Sequence, residues 1–217
     1  LQLVLGAGDL GAALVQQAFD GVVFTGSTEV AKLIEKRIAQ ADNDPVLIAE
    51  TGGQNVLVSD SSALPEQVVA DVLSSAFDSA GQRCSALRIL LLQEDVADHY
   101  YKMITEAINE FSLGDPRLLS TDIGPVIDQE AKQNLENHKA NMRKVARAYV
   151  ELEAPTNGHF VAPAVYLLDN LNQLQREVFG PILHIVRYKK ETLVNVLNEV
   201  NVKGYALTGG CHSRIRK

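Results

Sequence analysis

Strand-like and helix-like segments alternate along this chain, and the alternation is the strongest constraint on its fold. Short runs rich in Val, Ile and Leu are followed by longer segments whose apolar residues recur at helical spacing. Such alternation is typical of α/β proteins, because a helix carries the chain between two parallel strands and packs on their sheet. The predicted strands are 1–5, 22–24, 45–49, 55–58, 88–92, 160–167 and 183–188, and the predicted helices are 11–19, 28–40, 64–77, 96–111, 129–147, one leading into Glu177, and 193–201.

Size, charge and cysteine content exclude several classes of protein. The chain has 217 residues, of which 46% are hydrophobic, enough for one large domain or for one and a half. No apolar run approaches the roughly 20 residues of a membrane span, and no signal peptide opens the sequence. A net charge of −7 argues against non-specific binding to nucleic acid. The two cysteines form neither a disulfide framework nor a zinc-ligand spacing, so we expect a cytoplasmic protein without a metal site.

Cys84 is the residue whose sequence neighbours most clearly indicate a catalytic role. It lies between Gly81-Gln82-Arg83 and Ser85-Ala86, whereas a cysteine that only packs in a core is usually flanked by Leu, Ile and Val. Glu50 ends an apolar run and opens into a double glycine. Thiol and carboxylate could serve as nucleophile and general base, with the adjacent Arg83 and N–H groups from about Ser85 favouring the thiolate. The alternative is an ordinary semi-buried cysteine and a glutamate on a solvated rim.

Two segments are candidates for binding a phosphate. Residues 6–11 have the spacing G-x-G-x-x-G after a predicted strand, but the next strand ends in Thr25-Gly26-Ser27 and lacks the acidic residue of the dinucleotide fingerprint. We therefore prefer the second segment, Thr25-Gly26-Ser27-Thr28-Glu29. Ser27 or Thr28 can cap the helix that starts there, and the free N–H groups and dipole of a helix start favour an anion. The alternative is a capped helix with no ligand.

Four motifs, taken in order, resemble the signatures of the NAD(P)-dependent aldehyde dehydrogenase superfamily. They are Phe24-Thr25-Gly26-Ser27-Thr28-Glu29-Val30-Ala31, Glu50-Thr51-Gly52-Gly53, Gly81-Gln82-Arg83-Cys84 and Glu177-Val178-Phe179-Gly180-Pro181. The resemblance covers essentially the whole chain and implies an aldehyde-dehydrogenase-like α/β fold. Residues 1–52 would be the C-terminal part of a truncated, Rossmann-like NAD-binding domain. Residues 53–217 would be a catalytic domain with a parallel sheet, truncated at its C-terminal end.

A narrower resemblance rests on residues 77–88, with support from 60–64 and 121–128. These segments are similar to glutamate-semialdehyde (pyrroline-5-carboxylate) dehydrogenases, including the dehydrogenase module of bacterial bifunctional proline-utilisation flavoproteins. The resemblance implies oxidation of L-glutamate γ-semialdehyde to glutamate in proline catabolism, with NAD as cofactor, although NADP stays open. It also implies a homo-oligomer and, as one arrangement, fusion to an FAD-dependent proline dehydrogenase. The fragment alone could be inactive.

The same resemblance gives catalytic roles to individual residues. Cys84 would attack the aldehyde to form a thiohemiacetal, which hydride transfer would convert into a thioester. Glu50 would activate the water that hydrolyses this thioester, and Ser85 would bind the carboxylate of the substrate. The asparagine that helps to stabilise the oxyanion in this family is expected upstream of Leu1.

Cofactor contacts are implied in two places. The helix start at Thr25, Gly26 and Ser27 would hold a cofactor phosphate, with Gly26 permitting close approach and Ser27 supplying a hydroxyl. Glu177 would bind a ribose, and Phe179 would pack beside the nicotinamide ribose. For Glu177 a simpler alternative is a charge at the end of a helix.

Two other classes of function stay open. In a thiol hydrolase, Cys84 would form an ester or thioester adduct without redox chemistry, although Glu50 in place of a His–Asn/Asp arrangement argues against it. In a non-catalytic module, neither Cys84 nor Glu50 would take part in a reaction. A dehydrogenase predicts NAD-dependent turnover, a hydrolase predicts turnover without NAD, and a module predicts neither. Cys211, beside His212, has no motif around it and is interpreted as structural or incidental.

Overall fold

The chain divides into two compact units, Leu1–Gly52 and Gly53–Lys217. This division is seen in a computed structural model that describes residues 1–41, 43–205 and 207–215. Each unit contains parallel strands joined through helices, and the predicted α/β fold is therefore confirmed. Within those described ranges, no helix is both long enough and apolar enough to cross a bilayer.

The described residues of the first unit form a small parallel pair of strands with two helices. Strand β1, Gly21–Gly26, pairs in register with β2, Val46–Thr51, and helix α2, Thr28–Ile38, connects them. A short helix α1, Gly8–Leu14, precedes β1.

The predicted strand at residues 1–5 is wrong. This segment has no regular structure, and Leu1, Leu3 and Leu5 are exposed. A strand needs a neighbour for its N–H and C=O groups, and among the described residues β1 pairs only with β2. An apolar run alone therefore does not make a strand here.

The second unit is built on a six-stranded sheet in the order β5-β6-β7-β4-β3-β8. All neighbouring strands are parallel except β5 and β6. The strands are β3 Asn55–Ser59, β4 Leu87–Gln93, β5 Ala148–Glu151, β6 Ala164–Leu168, β7 Ile182–Tyr188 and β8 Gly209–His212, and the helices are α3 Pro65–Phe77, α4 Glu94–Ile108, α5 Gln129–Val145 and α6 Leu193–Val202.

Strand β4 lies in the middle of the sheet and carries the core on both faces. Leu90 and Leu92 pack with apolar residues of α3 and α4, whereas Ile89 and Leu91 pack with residues of α5 and α6. The side chains alternate because successive residues of a strand point to opposite faces. Each fully buried side chain of this size contributes about 2 kcal/mol, so β4 is a rigid base for the loop that precedes it.

Three predictions for the second unit need correction. Strands β5 and β8 were not predicted, because β5 has only four residues and β8 begins with two glycines, which are rare in strands. The predicted helix leading into Glu177 is absent: after a 3₁₀ turn at Leu171–Gln173 the chain is irregular up to β7. The side chain of Asn170 caps this single turn, and the extended backbone of Leu174 (φ −108°, ψ 107°) ends it.

Candidate active site

The residues that the sequence singles out in the second unit gather at one edge of its sheet. Cys84 precedes β4, Phe179 precedes β7, and Asn55 opens β3. Because β3, β4 and β7 run parallel, the segments before them meet at the amino edge of the sheet. Ligands of open α/β sheets usually gather at the opposite, carboxyl edge, so the position of this site was not deducible from that rule.

Cys84 lies on a turn between α3 and β4. The chain leaves α3 through a left-handed turn in which Ser79, Ala80 and Gly81 have φ angles of 57°, 53° and 65°. A second turn follows, closed by the N–H of Ala86, which donates to the carbonyl oxygen of Arg83 at 3.0 Å. Cys84, at the tip of this turn, is exposed, unlike a cysteine that packs in a core. We name residues 78–86 the cysteine loop.

Gly81 brings the cysteine loop against the segment before β7. A Cβ atom at Gly81 would lie 2.1 Å from the carbonyl oxygen of Gly180, a distance that no side chain tolerates against backbone. Its φ of 65° also favours glycine. Two of the sequence motifs are thus in backbone contact with each other.

Asn55 holds the cysteine loop from the side of β3. Its side-chain amide is buried and donates to the carbonyl oxygens of Cys84 and Ala86, at 2.7 Å each. Its side-chain oxygen accepts from the N–H of Thr208 at 2.9 Å. The buried side chain of Asn55 therefore fixes the backbone that carries the thiol of Cys84.

Gln82 connects the cysteine loop to the segment 121–128. Its side-chain oxygen accepts from the N–H of Ile127 at 2.8 Å, and its amide donates to the carbonyl oxygen of Pro125 at 3.3 Å. The middle residue of the Gly81-Gln82-Arg83 run is therefore a cross-link between two loops.

Arg88, and not Arg83, is the buried cation of this site. The guanidinium of Arg83 donates to the carbonyl oxygen of Ser74 at 2.9 Å, so its predicted role beside the thiol lacks support. The side chain of Arg88 is 2% exposed and pairs with Glu177 at 3.4 Å. Burial lowers the pKa of Arg88, an effect that the charges of Glu177 and Cys84 oppose, and guanidinium stays protonated in proteins.

Arg88 also contacts Glu177 and Phe179, and in this way it links them to the cysteine loop. Glu177 accepts from the guanidinium of Arg88, and the ring of Phe179 lies over that guanidinium with its centre 5.1 Å from Cζ. Glu177 is not at a helix end, so the simpler alternative for it is wrong. Phe179 keeps 46% of its surface exposed, which leaves ring surface for a ligand.

A pair of histidines lies behind the site. His138 of α5 and His184 of β7 are joined by their Nε2 atoms at 2.9 Å, and Nδ1 of His184 lies 3.1 Å from the carbonyl oxygen of Arg88. Since that oxygen can only accept, His184 carries its proton on Nδ1 and His138 carries one on Nε2. Burial lowers the pKa of His138 to about 4 and, with help from the charge of His138, that of His184 to about 3.

Ser85 is exposed next to Cys84 in the cysteine loop, and the other predicted residues lie in the first unit. Thr25 and Glu50 are neighbours across the β1–β2 pair, at the carboxyl edge of both strands, and both are exposed. Ser27 caps α2, because its hydroxyl accepts from the N–H of Val30 at 3.2 Å. Glu29 in the first turn of α2 adds a negative charge that an anion there would have to tolerate.

Sequence reasoning missed the two side chains that hold the cysteine loop. Asn55 is the first residue of β3 and Arg88 is the second residue of β4, and both strands are mostly apolar. A polar residue that enters a buried strand must find partners, and this was the available signal. Among the described residues, no cluster of three His, Cys, Asp or Glu side chains has the geometry of a metal site.

Comparison with known proteins identifies the family. The Aldehyde dehydrogenase family profile matches residues 1–217. The chain is 50% identical over 229 aligned residues to bifunctional protein PutA of Escherichia coli, covering 99% of this chain and 17% of PutA. A crystal structure of a Bradyrhizobium japonicum proline utilization A mutant is 53% identical, with a TM-score of 0.94 over 97% of this chain and 22% of that one. A 1-pyrroline-5-carboxylate dehydrogenase from Thermus with bound NAD is 27% identical, with a TM-score of 0.88 over 97% of this chain and 42% of that one. The chain thus spans less than half of the length of each of these relatives, and it belongs to the aldehyde dehydrogenase family.

Proposed function

We propose that this chain carries the thiol centre of an NAD-dependent dehydrogenase that oxidises L-glutamate γ-semialdehyde to glutamate. The observation that carries the proposal is Cys84, exposed on a turn whose backbone Asn55 and Arg88 hold from two sides. The named similarity to PutA and to a 1-pyrroline-5-carboxylate dehydrogenase supports the choice of substrate.

The thiol chemistry follows from the residues of the second unit. As a thiolate, Cys84 attacks the aldehyde carbon, and a C–S bond forms while the carbonyl π electrons move to oxygen. Ser85, exposed beside Cys84, offers a hydroxyl that can donate to the carboxylate of the substrate. NAD, when bound, supplies the hydride acceptor that allows the thiohemiacetal to become a thioester.

Hydrolysis of the thioester needs a base, and we assign this role to Glu50. The carboxylate takes a proton from water as the water oxygen attacks the thioester carbon, and the sulfur leaves as thiolate. Glu50 is exposed at the end of β2, where a water molecule can reach it. The closing of this cycle returns Cys84 to its starting state.

Residues of each unit have the chemistry to bind one part of a dinucleotide. An α-helix leaves its first N–H groups without partners inside the helix, and the start of α2 lies next to the exposed Thr25 and Gly26. These groups would bind a phosphate, with Ser27 completing the helix start. Glu177 would accept from a ribose hydroxyl, and the exposed face of Phe179 would pack beside the nicotinamide ribose. Residues 1–52 would then be part of the NAD-binding domain and 53–217 part of the catalytic domain.

The cellular setting is part of the same proposal. We assign the whole protein to proline catabolism in the cytoplasm, as a homo-oligomer, and a proline dehydrogenase with FAD is the expected fusion partner. The similarity to bifunctional PutA proteins supports the fusion.

The test is formation of NADH from L-glutamate γ-semialdehyde. It is measured on the chain alone and on Escherichia coli PutA in which this chain replaces the matching segment, with unmodified PutA as reference. We expect Cys84→Ala to lower kcat/KM by more than about 10³-fold, and the matched variant Cys211→Ala to leave it unchanged. A folded chimera without activity, or an active Cys84→Ala variant, would contradict the proposal.

A thiol hydrolase is the second candidate, favoured only by the exposure of Cys84. Hydrolysis of a nitrophenyl ester without NAD, abolished by Cys84→Ala, combined with no NADH formation, would establish the hydrolase. If neither reaction occurs in the folded chimera, the segment is a non-catalytic module.

A further inference from the structure

We propose that Arg88 is a positioning residue that couples the cysteine loop to the segment 177–181. Through one buried side chain, the nucleophile and the groups assigned to the nicotinamide side of the cofactor are held as one rigid body. The roles of the two segments rest on the proposed function, whereas the coupling itself rests on the contacts described below.

The guanidinium of Arg88 bonds to both segments at once. Toward the cysteine loop, Nη1 donates to the carbonyl oxygen of Gly81 at 2.7 Å and Nη2 donates to that of Arg83 at 3.0 Å. Toward the other segment, Nη1 donates to the carbonyl oxygen of Gly180 at 3.3 Å, and Nη2 donates to the carboxylate of Glu177 at 3.4 Å. Two nitrogen atoms therefore share four acceptors from two loops that are far apart in sequence.

The geometry requires arginine. Its planar guanidinium presents donors in a fixed fork, and its flat face can stack on an aromatic ring. Arg88 uses both properties, because the ring of Phe179 lies over the guanidinium while the edges of the group bond to carbonyl oxygens. An ammonium group has one nitrogen and no flat face, so lysine keeps the charge and loses the bridge.

The backbone of Arg88 is fixed from behind. The next residue, Ile89, pairs with His184 in the β4–β7 ladder, and Nδ1 of His184 donates to the carbonyl oxygen of Arg88 at 3.1 Å. The side chain thus starts from a buried strand in the middle of the sheet and ends between two loops. A shift of either loop would break bonds on both sides of the guanidinium.

Amide hydrogen exchange on the chain without cofactor tests the coupling directly. In Arg88→Met, whose side chain is about as long but apolar, we expect exchange to rise by about 10-fold or more in both the cysteine loop and the segment 177–181. The matched variant is Arg187→Met, in which an arginine of β7 loses its ion pair with Asp98, and neither segment should change. A rise in one segment alone, or in neither, would overturn the proposal.

Two further variants keep the test decisive if Arg88→Met does not fold. Arg88→Lys keeps the buried charge and should still raise exchange in both segments. Glu177→Gln weakens the bridge from its other end, and we expect it to raise exchange in the cysteine loop through the shared donor Nη2 of Arg88. Unchanged exchange of the cysteine loop in Glu177→Gln would contradict the coupling.

Kinetics of the PutA chimera separate the coupling from a general loss of stability. We expect Arg88→Lys to lower kcat and to raise the KM for NAD together, each by about 10-fold or more, while Arg187→Met leaves both unchanged. A change in kcat alone would contradict the coupling. If the chimera with intact Arg88 forms no NADH, the proposed function fails, and the exchange experiment still decides whether Arg88 couples the two segments.

Discussion

Asn55 offers the sharpest prediction about how the thiol is held. Replacement by leucine keeps the size of the side chain but removes its three hydrogen bonds, to the carbonyl oxygens of Cys84 and Ala86 and to the N–H of Thr208. A hydrogen bond contributes about 1 kcal/mol net, and a buried group left without a partner costs more than an exposed one. One of the three bonds is buried and two are partly buried, so the free energy of unfolding should fall by about 2 to 3 kcal/mol.

The assay is urea denaturation followed by circular dichroism, together with the rate at which iodoacetamide alkylates Cys84. Asn55→Asp should be worse than Asn55→Leu at neutral pH, because a carboxylate would face the carbonyl oxygens that the amide now serves. Asn137→Leu, on the exposed face of α5, is the control and should change stability by less than about 0.5 kcal/mol. An Asn55→Leu variant as stable as the original chain, with the same alkylation rate, would refute this reasoning.

Two further predictions concern the backbone and the buried histidines. Gly81→Ala should lower the free energy of unfolding, measured by urea denaturation, by about 3 kcal/mol, because the new Cβ would meet the carbonyl oxygen of Gly180. Gly204 is the control, since it has a φ of 74° but open space around it. Gly204→Ala should lower the free energy of unfolding by only about 1 kcal/mol. The folded-state pKa values of His138 and His184, about 4 and about 3, lie below the ordinary 6.5, so the unfolded chain binds more protons below pH 6.5. The contribution of these histidines to stability should therefore be complete only above about pH 7.5 and fall by about 2 kcal/mol between about pH 7 and about pH 5.5, as measured by urea denaturation at each pH.

Each of these two has an outcome that contradicts it. Equal losses in Gly81→Ala and Gly204→Ala would mean that the contact with Gly180 does not constrain the cysteine loop. For the histidines, the double variant with glutamine at both positions should flatten the pH profile. A profile that stays the same in this variant would assign the pH dependence to other groups.

The sequence predicted local features better than the partners of side chains. The cap at Ser27 depends on residues three positions apart, and the exposure of Cys84 agrees with its small, polar neighbours. Arg88, in contrast, bonds to Gly180 across 92 positions of the chain. Only the fold brings these residues together, which is why an arginine in an apolar strand was visible in the sequence and its function was not.

Adjacency in sequence was misleading for charge. Arg83 stands next to Cys84, yet its side chain leaves the loop and binds the end of α3. The backbone conformation of a turn sets the direction of its side chains, and this direction cannot be read from neighbouring residues in the sequence. The strand at 1–5 failed for a related reason, since a strand depends on a neighbour and not on its own composition. Predictions of the cofactor residues in the first unit stay predictions, although Thr25 and Glu50 do lie side by side.

The covalent adduct on Cys84 tests the central claim most directly. In the PutA chimera, Glu50→Gln should slow hydrolysis of the thioester by about 10² to 10⁴-fold, so that mass spectrometry after addition of L-glutamate γ-semialdehyde and NAD finds a glutamyl thioester on the peptide that contains Cys84. Glu35→Gln, an exposed glutamate of α2, is the control and should show no accumulation. A thioester on Cys84 that requires NAD is the expected result. Absence of any adduct in a folded, NAD-binding chimera, or an adduct on Cys211 instead, would contradict the assignment of Cys84 as the nucleophile.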